Sequence, residues 1–244
     1  MRDTILFGDC RKTLCAFLPK SARMCVTSPP YYGLRDYGGE GNQIGQEQTP
    51  EEYIQQLVEV FREVRNILTD DGTLWVNIGD SYYNYRPGKA YVKQTVASNR
   101  QDLPEYSPKR SNKLDGYKEK DLIGIPWMLA FALRSDGWYL RQDIIWNKPN
   151  PMPESVRDRC TKSHEYIFLL SKSQNYYFDV DVIKEPTRRK RSVWNIQTKP
   201  YRGSHFAVYP PELIEPCIKA GSERGDIVLD PFMGSGTTAA VAKS

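Results

Sequence analysis

A chain of 244 residues with 39% hydrophobic and 26% charged residues can bury a sizeable core as one large domain, which excludes wholesale disorder. The formal charge is only +4, the start "MRDTILFGDC" lacks the apolar run of a signal peptide, and no stretch reaches the roughly 20 apolar residues of a membrane span, so a cytoplasmic protein with no membrane contact is expected. Cys10, Cys15, Cys25, Cys160 and Cys217 include no C-x-x-C pair and no His at ligand spacing, which argues against a disulfide framework and against a metal site.

Apolar runs at 4–7, 24–27, 73–78, 138–146, 166–170 and 227–229 read as buried strands, each followed by a turn or a helical pattern. This alternation predicts an α/β fold with a mostly parallel sheet. After the second strand comes "TSPPYYG" at 27–33. Two consecutive prolines remove two backbone donors and fix φ, so the flanking hydroxyl and aromatic ring are held on a stiff, extended turn. The spacing then predicts a helix over 50–68: Thr49 can cap it, Pro50 suits its first position, Glu52 completes a capping box, and Ile54, Leu57, Val58, Phe61, Val64 and Leu68 share one face. "DDG" at 70–72 is expected to close that helix before the next strand.

Residues 81–120 form a long polar stretch without periodicity, carrying nine Lys/Arg against four Asp/Glu together with six Tyr. That segment holds all the excess positive charge of the chain, and cations interleaved with aromatics suit a nucleic acid backbone with bases stacked nearby; a solvated insertion is the plainer alternative. An apolar helix is predicted over 122–133, lying against the sheet despite Pro126, and a second basic cluster, "TRRKRS", occupies 187–192. Near the end, "GDIVLDPFMGSGTT" runs from a strand through Gly234-Ser235-Gly236 into a helix that opens at Thr237. Glycines at the carboxyl end of a strand let backbone approach a ligand closely, and a helix N-terminus adds donors. No Lys follows them as a phosphate loop requires.

Taken together, "TSPPYYGLRDYG", "DIIWNKPNPMPESVRDR…SHEYIFLL", "HFAVYPPELIEPCI" and "DPFMGSGTT", in that order, resemble the permuted β group of DNA amino-methyltransferases that use S-adenosylmethionine (AdoMet). The resemblance covers nearly all 244 residues and implies a single catalytic domain, 1–244, with a Rossmann-like, circularly permuted methyltransferase fold acting on double-stranded DNA. Segments 81–120 and 184–204 would then contact DNA, through Arg86, Lys89, Lys93, Arg100, Lys109 and Arg110 in the first and Arg188, Arg189 and Arg191 in the second. A cognate restriction endonuclease is the partner such a system implies.

An exocyclic amine on a base is a poor nucleophile because its lone pair is delocalised into the ring. Acceptors aimed at its hydrogens draw it toward tetrahedral geometry. By resemblance, Ser28 Oγ and the Pro29 carbonyl are those acceptors, Pro30 completes the rigid turn, and Tyr31 stacks on the base once it is flipped from the duplex. The resemblance also implies that Asp230, Phe232, Gly234 and Gly236 surround the methionine part of AdoMet, with Thr237 and Thr238 at the helix N-terminus, Asp9 and Cys10 near the adenine, and His205 lining the cleft. Asp9 can equally be a plain helix cap. An S-P-P-Y motif favours N4 of cytosine as target; N6 of adenine is the alternative within the class, and an inactive DNA-binding derivative of the fold the alternative outside it. "PC" at 216–217 could suggest the nucleophilic thiolate of cytosine-C5 enzymes, yet Cys217 lies in an amphipathic pattern and reads as a buried core residue, while His164 reads as orienting a loop. Family members continue past the last helix into a strand with an acidic residue for the ribose hydroxyls. With the sequence ending at Ser244, that strand is expected to be missing between those at 226–230 and 4–7, leaving a gap or an unpaired edge, with weak AdoMet binding.

Overall fold

The computed structural model describes residues 4–33, 43–84, 113–199 and 209–244. Its elements in chain order are a short helix α1 (Cys10–Thr13) with a 3₁₀ turn (Leu14–Ala16), β1 (Ala22–Thr27), α2 (Pro50–Ile67), β2 (Leu68–Ile78), α3 (Ile125–Ser135), β3 (Tyr139–Asn147), β4 (His164–Ser171), β5 (Val193–Asn195), α4 (Pro211–Gly221), β6 (Val228–Leu229) and α5 (Thr237–Lys243). The six strands form one sheet in the order β5-β3-β4-β2-β1-β6. β1 is parallel to β2 and β6, and β3 is parallel to β5, while β4 runs antiparallel to both its neighbours, β2 and β3. Five strands therefore point one way and only β4 is reversed. The fold is the expected α/β arrangement.

Side chains of the central strands alternate between two apolar layers, as a sheet covered on both faces requires. Leu74, Val76, Ile78, Phe168 and Leu170 face the layer filled by Leu57, Phe61 and Val64 of α2 and Leu129 and Leu133 of α3. Met24, Val26, Trp75, Ile167 and Leu169 face the other, filled by Leu213, Ile214, Cys217 and Ile218 of α4. Helix α2 begins as predicted. Thr49 Oγ1 accepts from Glu52 N at 3.2 Å and Glu52 Oε2 accepts from Thr49 N at 3.2 Å, a complete capping box with Pro50 in the first turn. Replacing Thr49 by Ala is expected to cost about 1 kcal/mol in urea unfolding, by orphaning a helix donor; an unchanged midpoint would show that the cap contributes nothing.

Two local expectations are corrected. Residues 4–7 form no strand: Ile5, Leu6 and Phe7 are exposed, and β6, the edge they would approach, pairs with β1. A four-residue run with three apolar side chains is too short to specify a strand when no ladder among the described residues receives it. "DDG" does not separate helix from strand either, because β2 starts at Leu68 and carries Asp70, Asp71 and Gly72 within it. The ladder with β1 jumps there from Ala22↔Leu68 to Met24↔Thr73, so the turn residues are absorbed as a bulge. Glycine suits that bulge, since an added Cβ at Gly72 would lie 2.9 Å from Arg23 O.

Candidate active site

The shared direction of five strands brings Thr27, Ile78, Asn147 and Leu229 to one end of the sheet, and the reversed β4 starts there at His164. Open α/β sheets bind ligands at the carboxyl ends of their strands. Ser28, Pro29, Pro30 and Tyr31 follow β1 directly at that end. The turn is braced from behind: the buried Tyr53 hydroxyl donates to Pro30 O at 2.7 Å, Gly33 N donates to Gly45 O at 2.9 Å, and the Tyr32 hydroxyl donates to Gln48 O at 3.1 Å. The Pro30 carbonyl is thus occupied by Tyr53, and the Ser28 side chain lies within hydrogen-bonding reach of the Tyr31 hydroxyl.

Tyr31 is anchored at its far end, where its hydroxyl donates to Glu165 Oε2 at 2.7 Å. Burial, reinforced by the Glu165 charge, holds the phenol well above its ordinary pKa, with the nearby Ser28 side chain acting weakly in the opposite direction. Tyr31 is thus a neutral ring at physiological pH. Asn77 Nδ2 also donates to Glu165 Oε2 at 3.2 Å, and Lys148 Nζ forms an ion pair with Glu165 Oε1. At the end of β2, Asp80 Oδ1 accepts from Ser81 N, Gly124 N and Ile125 N, tying this end of the sheet to the start of α3.

The glycine turn stands two strands of the sheet away from β2, at the end of β6. Gly234 (φ +53) and Gly236 (φ +84) are both left-handed, conformations that favour glycine. An added Cβ on Gly236 would meet nothing within 4 Å, so the turn faces open space. Asp230 ties it down. Its Oδ1 accepts from Thr27 Oγ1 at 2.5 Å and from Phe232 N at 3.0 Å, and its Oδ2 from Thr238 Oγ1 at 2.5 Å and Tyr209 Oη at 3.2 Å. Burial raises the Asp230 pKa, and these four donors oppose the rise. Asp230 thereby links β1, the glycine turn, α5 and the approach to α4. Phe232 packs edge-on to Phe61, ring centroids 6.4 Å apart, on the apolar layer that Cys10 also joins.

Asp9 caps α1: its carboxylate accepts from Arg11 N (3.0 Å) and pairs with Arg11 Nη2 (2.6 Å), which holds its pKa below the usual carboxylate value. Cys10 follows at the first position of α1, its thiol pushed up to about 11 by burial. Cys217 is fully buried in α4, its thiol also raised by burial, with Sγ turned to Leu213 O. Replacing Cys217 by Ala is accordingly expected to leave methyl transfer intact while lowering stability by about 1 kcal/mol; loss of transfer in a folded variant would restore the thiolate reading. His164 opens β4 opposite Asn147, its ring edge-on to Tyr166.

Arg188, Arg189 and Arg191 are exposed just upstream of β5. Arg188 pairs with Glu185 at 2.6 Å, and with Lys190, Arg191, Gln142 and Asn195 it lines a groove of about 840 Å³. β5 lies four strand spacings from β1, roughly 19 Å at about 4.8 Å each, so this cluster is beside the turn's end of the sheet rather than in the site. Arg86, Lys89, Lys93, Arg100, Lys109, Arg110 and His205 lie outside the described residues. Glu165, Lys148 and Asn77 were missed by the sequence reading. Their one local signal is a charged or amide residue at the end of an otherwise apolar strand, as in "SHEYIFLL" and "IIWNK".

The comparisons with known proteins agree with this geometry. A family profile described as a DNA methylase, N6_N4_Mtase, matches residues 22–244. The chain is 51% identical to the type II methyltransferase M.Cfr9I of Citrobacter freundii over 250 residues, covering 98% of this chain and 79% of that one. It is 53% identical to the type II methyltransferase M.SmaI of Serratia marcescens, covering 98% and 82%. Among solved structures it resembles PvuII DNA methyltransferase (cytosine-N4-specific), with TM-score 0.71 and 21% identity over 98% of this chain and 77% of that one. A putative DNA modification methylase of Thermus thermophilus, complexed with S-adenosyl-L-methionine, follows with TM-score 0.64 and 24% identity over 96% and 81%. With the S-P-P-Y turn preceding the glycine turn in the chain and facing the same end of one sheet, the chain belongs to the N6/N4 family of AdoMet-dependent DNA methylases, as a type II methyltransferase in the permuted arrangement.

Proposed function

We propose that this protein transfers a methyl group from AdoMet to the exocyclic N4 of cytosine in double-stranded DNA, as the protecting half of a restriction-modification pair. The observation that carries the reading is Ser28 at the head of the braced turn, with the Pro30 carbonyl already taken by Tyr53. That leaves a neutral hydroxyl and the Pro29 carbonyl to accept from the two hydrogens of an amine. AdoMet, when bound, supplies an electrophilic methyl group on a sulfonium. The chain's own part is to hold the amine so that its lone pair is exposed to that methyl as the acceptors draw its hydrogens away. Tyr31 supplies a flat, neutral face on which a flipped base stacks. No thiolate is needed, which agrees with the burial of Cys217.

The space around the glycine turn fits AdoMet. Gly236 and Gly234 present backbone rather than side chains to it, Phe232 offers an apolar wall, and Asp230, its oxygens committed to internal donors, acts as the frame of the turn. Thr237 and Thr238 at the start of α5, and Asp9 and Cys10 at the start of α1, complete the proposed cofactor contacts, with His205 assigned from the sequence. Residues 1–244 act as one catalytic domain, and segments 81–120 and 184–204 approach the DNA, Arg188, Arg189 and Arg191 by charge and exposure.

Labelled methyl transfer from AdoMet to unmodified duplex DNA, followed by nucleoside analysis, tests the proposal. N4-methylcytosine is the expected product. N6-methyladenine would reassign the base while keeping the chemistry, and DNA binding without any transfer would convert the protein into an inactive derivative of its family.

A further inference from the structure

Three strands, β2, β3 and β4, converge behind Tyr31. The antiparallel pairing of β3 with β4 sets Asn147 opposite His164, so the next residue of one strand and the second residue of the other, Lys148 and Glu165, come together at the active end of the sheet. Asn77 enters from β2, opposite Ile167. The Glu165 carboxylate and the Lys148 ammonium are largely withdrawn from water, with side-chain exposures of 15% and 18%. A charge in such a place persists only when it is paired and its remaining sites are bonded. Both conditions hold: Oε1 takes Lys148, Oε2 takes Tyr31 Oη at 2.7 Å and Asn77 Nδ2 at 3.2 Å, and Asn77 is itself held by a second bond to Tyr166 O at 3.1 Å. Lys148 Nζ also lies 4.3 Å from the centroid of the Trp146 ring.

The flank of the ring is fixed as well. An added Cβ at Gly79 would come 2.8 Å from Tyr31 Cε2 and 3.4 Å from Glu165 Cδ, so the absence of a side chain there is what lets the phenol lie against the end of β2. The prolines immobilise Tyr31 at its Cα and say nothing of its hydroxyl end. We infer that Glu165, held by Lys148 and Asn77, is a positioning residue that fixes the ring plane of Tyr31 for the target base. This rests on the reading of Tyr31 as the stacking surface and adds what sets its orientation. A carboxylate is required because three donors converge on it: glutamine has one acceptor oxygen, and its amide would turn a donor toward another donor.

The test is steady-state transfer from tritiated AdoMet to unmodified duplex DNA by the full chain carrying Tyr31→Phe, Glu165→Gln, both changes, or Glu165→Gln with Lys148→Met. Glu165→Gln is expected to lower kcat about ten- to a hundredfold, since small misplacements of a reacting group cost that much, with the KM for AdoMet within about twofold of the parent. Tyr31→Phe alone is expected to lower kcat by a similar factor. In the Tyr31→Phe chain the Glu165 change costs nothing further, because the hydroxyl through which it acts is gone. Glu165→Gln with Lys148→Met leaves no unpaired charge, melts with the parent, and keeps the kcat loss. Full kcat in Glu165→Gln, multiplied losses in the Tyr31→Phe double variant, or a loss confined to the KM for AdoMet would each overturn the inference. Failure of the underlying reading looks different, since Tyr31→Ala, which removes the stacking face itself, would then transfer methyl groups undiminished.

Discussion

Ser28→Ala is expected to lower kcat by about 10²–10³, or roughly 3–4 kcal/mol of transition-state stabilisation, the scale on which a preorganised hydrogen-bonding group acts at a reacting centre. Affinity for AdoMet, measured by calorimetry, is expected to stay within about twofold. Ser28 is only half-buried, so removing its hydroxyl deletes one polar atom near Tyr31 and little packing. What it takes away is an acceptor on a turn that β1, two prolines and Tyr53 hold still before substrate arrives. Parent-like kcat in Ser28→Ala would sink the assignment of the turn as catalytic; a parallel fall in AdoMet affinity would mean that the turn belongs to the cofactor cleft instead.

Asp230→Asn strikes the other half of the proposed site. Four donors, from Thr27, Phe232, Tyr209 and Thr238, converge on one carboxylate, and an amide can accept at only one of its two ends. Leaving one or two of those donors unsatisfied is expected to cost about 2–4 kcal/mol of stability. Because the same residues frame the glycine turn, AdoMet affinity is expected to fall at least about tenfold, equivalent to about 1.4 kcal/mol. The loss depends on pH with a definite sign. Burial raises the Asp230 pKa from the usual 3.8, so its contribution is fully present below that value and declines as pH rises through the folded value. The gap between parent and variant in urea unfolding therefore narrows from acid toward neutral pH. A gap that widens instead would mean that the donors, rather than burial, dominate at this carboxylate.

The parts of the fold legible in the sequence are those specified by neighbours in the chain. The α2 cap needed only Thr49, Pro50 and Glu52, and the S-P-P-Y and glycine turns needed only their own residues and their order. Longer strands announced themselves by apolar content, whereas residues 4–7 show that content alone does not supply a partner strand. The direction of β4 was closed to sequence reading, since an apolar run reads the same whether its ladder is parallel or antiparallel. The Tyr31 anchor was hidden with it. Lys148 and Glu165 are 17 residues apart, and only the reversal of β4 makes them neighbours. Asp230 was singled out as a cofactor residue from the motif; that its oxygens are spent on Thr27, Tyr209 and Thr238 depends on contacts from elsewhere in the chain.

β6 has a consequence for the order in which the two halves of the site come apart. It is two residues long, Val228–Leu229, and among the described residues its ladder is to β1 alone, whereas β1 and β2 lie inside the sheet under both apolar layers. Short edge segments open at a small fraction of the free energy of global unfolding. Amide hydrogens of 226–238 should thus exchange with deuterated solvent well before those of β1 and β2, and AdoMet should slow the first group by mass action while barely moving the second. On the proposed assignment, the half that shapes the amine would stay assembled through each opening, and the half that holds the methyl donor would assemble afresh at each encounter.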